Sequence, residues 1–138
     1  MSSIQNRIDA FVALGNFLSQ FSSNKIEKSS TVPFNDLFFD GFIHQIKLAE
    51  EHNSWFTKEA ILFSIDNWTS ALSHKNLNQW VSNENVVEKS SKTVAIVMAG
   101  NIPLVGFHDF LSVLICGHSV LVKQSSNDKH LIPYLAKY

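Results

Sequence analysis

The sequence predicts an α/β chain: a helical amino-terminal region followed by one strand–helix–strand unit of a parallel sheet. Three observations lead there. Up to Val81, apolar residues recur every three or four positions, the period of helices with one buried face. That period is lost at Val94-Ala95-Ile96-Val97-Met98, a continuous, β-branched run of strand length cut off by Gly100-Asn101 and Pro103. A helix-like segment, Gly117 and a second apolar run, Ser119-Val120-Leu121-Val122-Lys123, follow. This is the punctuation of a crossover between parallel strands.

The first helix is expected over residues 3–22, with Ile4, Ile8, Phe11, Leu14, Leu18 and Phe21 at helical steps and Ser2 or Ser3 as its cap. Residues 22–33 are polar, Ser/Lys-rich and end at Pro33, a linker. Asn35 is expected to cap a second helix with Phe39, Phe42, Ile46 and Ala49 on one face, broken at Asn53. Thr57 reads as the next cap, with Glu59 in the first turn where the helix dipole favours a carboxylate. Ile61, Ile65, Trp68 and Leu72 form that helix's stripe, and a short fourth helix carries Leu77, Trp80 and Val81. Residues 82–92 are polar again, a second linker.

The run from Val94 to Met98 predicts a strand buried on both faces. Residues 104–116 read as a helix buried on more than one side, ended by Gly117, which tolerates the left-handed conformation of a helix terminus. The second strand is Ser119–Lys123, and a last helix is expected to begin near Asp128 and to be still running at Tyr138. The division is a helical region, 1–90, and the start of a nucleotide-binding α/β domain, 91–138. Two parallel strands do not make a stable sheet alone, so the chain is expected to be the front part of a larger protein.

Composition narrows the function. Of 138 residues, 45% are hydrophobic and 17% charged, with eleven basic against twelve acidic residues and a net charge of −1. This is a globular composition with no electrostatic footprint for nucleic acid. One cysteine, Cys116, rules out an internal disulfide and suits a reducing cytoplasm. No Arg/Lys-led apolar segment opens the chain, so no signal peptide is expected. Its apolar runs stop well short of the ~18 residues of a membrane span. The six histidines include no i, i+4 pair with acidic company, so no metal is expected.

Cofactors in open α/β sheets sit beyond the carboxyl ends of the strands, which directs attention to Met98-Ala99-Gly100-Asn101 and to Lys123-Gln124-Ser125-Ser126. Gly100 either permits close approach of a ligand or serves turn geometry. Asn101 carries a neutral amide donor, and its plain alternative is a turn residue. Lys123 offers three donors to hydroxyl or phosphate oxygens, or is a solvated strand end. Ser125 and Ser126 supply turn and cap residues for the last helix. Cys116, at the end of an apolar helix, reads as a core residue. His108 and Asp109 are neighbours about 100° apart on a helix and are not expected to face each other.

The segment Gly100-Asn101-Ile102-Pro103-Leu104-Val105-Gly106-Phe107-His108-Asp109-Phe110-Leu111, followed by Gly117-His118 and Leu121-Val122-Lys123-Gln124-Ser125-Ser126-Asn127-Asp128-Lys129, resembles the acyl-CoA reductases related to the fatty-acid reductase of bacterial luminescence. These are members of the aldehyde dehydrogenase superfamily. Arg7-Ile8-Asp9-Ala10-Phe11 and Trp55-Phe56-Thr57 resemble that family's helical amino-terminal part. The resemblance implies a Rossmann-like, aldehyde dehydrogenase-like sheet, incomplete here, in a cytoplasmic NADPH-dependent enzyme that reduces a fatty acyl-CoA thioester to an aldehyde. It implies an oxyanion-stabilising role for Asn101, with Met98, Ala99 and Gly100 along the nicotinamide-side ribose and Lys123 at the adenosine ribose. Many NAD-using relatives have Glu where this chain has Ser126; a serine does not repel a 2′-phosphate, so Ser125 and Ser126 favour NADPH. The superfamily's nucleophilic cysteine and general base would lie outside this chain, which alone is expected to be inactive. The superfamily's usual dimers and tetramers imply a homo-oligomer at full length. The alternative is a non-catalytic helical interaction module with a degenerate nucleotide-binding lobe.

Overall fold

The computed structural model describes residues 2–84, 86–87 and 90–138. It is a mixed helix–strand structure, 53% helical, with a small parallel sheet of two strands. The elements are α1 (Ile4–Leu18), α2 (Asn35–His52), α3 (Lys58–Ala71), α4 (His74–Asn83), β1 (Thr93–Val97), α5 (Phe107–Ile115), β2 (Ser119–Lys123) and α6 (Leu131–Leu135).

Capping chemistry sets three of the helix starts. The hydroxyls of Ser3, Thr57 and Ser73 accept the N–H groups of Asn6, Ala60 and Asn76, satisfying donors that have no partner within their helix. The second helix departs from the expected pattern. Its cap position is Phe34, in a left-handed conformation at φ 59°, and Asn35 is the first helical residue with its side chain buried. Asn35 is held by Gln20: Gln20 Nε2 donates to Asn35 Oδ1 at 2.9 Å, and Asn35 Nδ2 returns a bond to Gln20 Oε1 at 2.6 Å. That Gln20 oxygen also accepts the Ser29 N–H at 2.8 Å. A long-range amide pair thus uses the side chain that local pattern assigns to capping, and it ties down the polar 22–33 segment.

The expected stripes are buried: Ile8, Phe11, Leu14 and Leu18 on α1, Phe39, Phe42, Ile46 and Ala49 on α2, and Ile61, Ile65 and Leu72 on and just after α3. Arg7 is buried beside them, and its Nε donates to the Ile115 carbonyl at 2.9 Å. A cation at the carboxyl end of α5 satisfies a carbonyl left free there and complements the dipole. Phe107 meets Phe11 and Trp68 edge-on, at 6.4 and 4.8 Å between ring centres. At the other side, Tyr134 of α6 stacks on Phe42 of α2 at 5.9 Å and donates its hydroxyl to the Phe38 carbonyl at 3.1 Å. One apolar core therefore runs through both the helical region and the strand–helix–strand unit.

The strands pair in parallel, Thr93 with Ser119 through Val97 with Lys123. The expectation of a strand buried on both faces is corrected. Ile96 is buried, but Val97 is 76% exposed and Leu121 65% exposed, because α5 packs on one face and no described element covers the other. The crossover helix also starts later than the expected residue 104. Leu104 sits at φ 62°, which no right-handed helix contains, and α5 begins at Phe107. Gly117 ends it at φ 83°, as its sequence position indicated. The last helix begins at Leu131 rather than near Asp128, since Asp128 turns inward. Part of the expected 82–92 linker (Asn85, Glu88 and Lys89) lies outside the described residues.

Candidate functional site

Parallel pairing brings the carboxyl ends of both strands to one edge. The Met98 N–H donates to the Lys123 carbonyl at 3.0 Å, extending the ladder one step past β1. Beyond it the turns leaving β1 and β2 run side by side and meet at Gly100. A Cβ there would fall inside the contact distance of Ser125 Oγ and lie 3.3 Å from Asn127 Cβ. Glycine permits that approach, and the group approaching is the chain's own Ser125.

The sequence-selected residues divide into two sets. Ala99, Asn101, Lys123 and Ser126 are exposed at this edge. Met98 and Ser125 face their own chain. The Met98 side chain is buried, and a Cβ on Gly106 would come within 2.7 Å of its Cγ and Sδ. Ser125 Oγ accepts the Asn127 N–H at 3.2 Å, so this serine shapes the turn after β2 rather than capping α6.

Three further residues hold the edge and were not legible in the sequence. Asp128, 4% exposed, accepts the Leu104 N–H on Oδ2 at 2.8 Å. It thereby secures the left-handed Leu104, a conformation costing about 1 kcal/mol or more for a residue with a Cβ, in the turn that carries Asn101. Asp128 Oδ1 is buried with no hydrogen-bond partner among the described residues. Burial pushes the Asp128 carboxyl above the usual carboxylate range, opposed by the Leu104 N–H. From the end of α2, His52 Nε2 lies 3.0 Å from the Ser126 carbonyl, and Asn53 Nδ2 donates to the Asn127 carbonyl at 3.3 Å. His130 packs against the His52 ring at 5.6 Å; burial first, then His52 and Lys129, lower its pKa. In sequence, an Asp after Ser-Ser-Asn signals a cap, and nothing local shows it reaching back to Leu104.

The edge presents a neutral amide, an ammonium and a hydroxyl to solvent, with the nearby carboxylate of Asp128 turned under the surface. Such a donor set suits a ligand rich in hydroxyl or phosphate oxygens. Cys116 is half-buried at the opposite end of the sheet, just before β2. His108 and Asp109 do approach each other, Nδ1 to Oδ1 at 3.4 Å. Both side chains are exposed in the first turn of α5, where nothing prevents them from folding together. Among the described residues no group of three His, Cys, Asp or Glu could hold a metal ion, and no helix is long and apolar enough to cross a membrane. No known protein family, curated protein or solved structure matches this chain.

Proposed function

We propose that this chain is the helical region and first βαβ unit of a Rossmann-like, aldehyde dehydrogenase-like sheet. The full-length protein would be a cytoplasmic NADPH-dependent acyl-CoA reductase that converts a fatty acyl-CoA thioester to an aldehyde. The observation that carries this reading is the shared edge: Asn101, Lys123 and Ser126 are solvent-facing where two parallel strands end, the position at which open α/β sheets bind cofactors.

When bound, NADPH supplies the hydride. Asn101 would donate its amide N–H to the negative charge that develops on the thioester's carbonyl oxygen, an interaction worth most in a water-excluded site. Lys123 donates to ribose or phosphate oxygens, and Ser126 leaves room and no negative charge where a 2′-phosphate would sit. Ala99, exposed at the end of β1, would lie along the nicotinamide side, while Gly100 lets the Ser125 turn approach. Met98 and Ser125 support these residues from below. Cys116, at the far end of the sheet, is not the nucleophile; that thiolate belongs to another part of the full-length protein, which we expect to form a homo-oligomer.

The test is coenzyme titration of the full-length protein, wild type beside Ser126→Glu. The wild type should bind NADPH more tightly than NADH, and Ser126→Glu should shift that ratio at least about tenfold toward NADH, since a like charge against a phosphate costs on the order of 1.4 kcal/mol or more. An unchanged ratio defeats the assignment. Acyl-CoA reduction is expected from the longer protein and not from these 138 residues alone. A second reading, a non-catalytic helical interaction module, is favoured by large apolar side chains exposed on the helical region, Leu37, Trp55 and Phe63, which suit a partner surface. A reading frame continuing past codon 138 into an apolar-flanked Cys and a Gly-rich segment supports the enzyme, and a stop there supports the module.

A further inference from the structure

Two neighbouring side chains fasten the end of α2 to the turn after β2. His52 Nε2 lies 3.0 Å from the Ser126 carbonyl, and Asn53 Nδ2 donates to the Asn127 carbonyl at 3.3 Å. A carbonyl only accepts, so His52 Nε2 carries the proton and Nδ1 is bare in the neutral ring. The Asn53 amide is oriented from its other side, where Oδ1 accepts the Trp55 N–H at 3.1 Å. The fastened turn closes on itself through the Asp128 N–H and the Ser125 carbonyl, 3.3 Å apart. It also reaches across to the Leu104 N–H through Asp128 Oδ2. This one attachment to α2 therefore bears on both turns of the edge, that of Ser126 and that of Asn101.

A second imidazole stands against the attachment. The His130 ring meets the His52 ring edge-on, 5.6 Å between centres, and Lys129 is its sequence neighbour. Burial first, then His52 and Lys129, disfavours a proton on His130. The carboxylates nearby are engaged elsewhere. Glu51 pairs with Lys47 at 3.8 Å, Glu50 accepts the Lys58 N–H at the start of α3 at 3.3 Å, and Asp128 is turned under the surface onto Leu104. The turn between β1 and α5, residues 98–106, carries no charged side chain. Among the described residues neither ring is paired with a carboxylate that would offset a second proton. Unit charges at this separation repel enough to shift an equilibrium roughly three- to a hundredfold, as the effective dielectric runs from that of water to that of a protein surface.

We propose that His52 and His130 form an acid-sensitive latch on the candidate edge. With at most one ring protonated, His52 holds the turn of Ser126 against α2. When both rings carry a proton they repel, and the turn is released. A single proton on His52 leaves its bond in place, because Nε2 still donates; the trigger is the charged pair. His52 is exposed and His130 half-buried, so His52 is the ring with room to swing away, and in leaving it gives up the Ser126 carbonyl. The latch does not rest on the coenzyme reading, since it uses only contacts within the chain. Any ligand of this edge meets an ordered edge at neutral pH and a loosened one in acid.

The test is amide hydrogen exchange of the protein followed by NMR, at about pH 7.5 and about pH 5, either side of the ordinary histidine range. The readout is protection of the Leu104 N–H relative to that of Ile65, buried in α3, each corrected for its intrinsic exchange rate, so that global unfolding cancels. In wild type the ratio should fall at least about threefold in acid. His52→Gln keeps a donor for Ser126 and cannot be charged, so its ratio should not fall; His130→Gln should behave alike, and either variant decides should the other not fold. His52→Leu removes the donor and should show a lowered ratio already at about pH 7.5. Asp128→Asn retains an acceptor for Leu104 and abolishes that carboxyl's own titration, and the acid loss should persist in it. The proposal is overturned by an unchanged ratio in wild type, by an acid loss that survives both glutamine substitutions, by wild-type protection in His52→Leu, or by a loss that vanishes in Asp128→Asn.

Discussion

Gly41 offers a direct test of how α6 docks on α2. It lies mid-helix, where Ala is ordinarily preferred by about 1 kcal/mol. Here a Cβ would collide with the Tyr134 hydroxyl and lie 2.9 Å from Tyr134 Cζ, so the ring would have to move. Displacement sacrifices the hydrogen bond to the Phe38 carbonyl, about 1 kcal/mol, and the stack on Phe42, about another 1 kcal/mol. Crowding in a packed contact adds roughly 1 kcal/mol. Set against the helix gain, Gly41→Ala should destabilise by about 2 kcal/mol. With a urea slope of about 2 kcal/mol per molar for a chain of this size, the midpoint followed by circular dichroism should fall by about 1 M. Tyr134→Phe alone should cost about 1 kcal/mol. In that background the nearest obstacle becomes Cζ, and Gly41→Ala should cost about 1 kcal/mol less than in wild type, a coupling of the size expected for touching residues. Should Gly41→Ala raise the midpoint, or the two changes prove additive, α6 does not pack over Gly41 and the argument fails.

Three further outcomes follow from the same contacts. Arg7→Met keeps the apolar stem but leaves the Ile115 carbonyl without its guanidinium donor; urea unfolding should show a loss of about 2 kcal/mol, the usual worth of a hydrogen bond to a charged group. The Asp128 carboxyl is raised by burial, so its contribution to stability is fully present below the ordinary carboxylate pKa and is lost as pH rises through the raised value. Asp128→Asn, which keeps an acceptor for the Leu104 N–H, should be at least as stable as wild type at pH 7 and should lack that pH dependence in thermal melts. His130 has the opposite sign: its lowered pKa means that stability falls as pH drops through the ordinary histidine range near 6.5. His52→Gln removes one of the charges that lower it and should flatten the acid side of the melting profile.

The contrast between α1 and α2 shows what sequence pattern carries. Ser3, Thr57 and Ser73 cap their helices through bonds spanning three residues, so the local sequence contains both partners. Asn35 looks equally like a cap, yet its partner is Gln20, fifteen residues away, and no local rule names it. The same division runs through the candidate edge. The glycine at 117, the β-branched runs and the Pro after Asn101 are short-range signals, and they located both strands, the crossover helix and the exposed Asn101, Lys123 and Ser126. Asp128 clamping Leu104, and His52 and Asn53 holding the turn after β2, are bonds of 24 and 74 residues' separation.

By itself, then, the chain's order of residues determined the helical stripes, the parallel crossover and which polar groups emerge at the strand ends. Those follow from side-chain periodicity and backbone preference, which act over a few residues. Tertiary packing decided the rest: that the described elements cover only one face of the sheet, that Ser125 fills the space over Gly100, and that a buried carboxylate shapes the Asn101 turn. Each depends on which distant surfaces meet, because burial and long-range hydrogen bonds exist only once the chain has closed on itself.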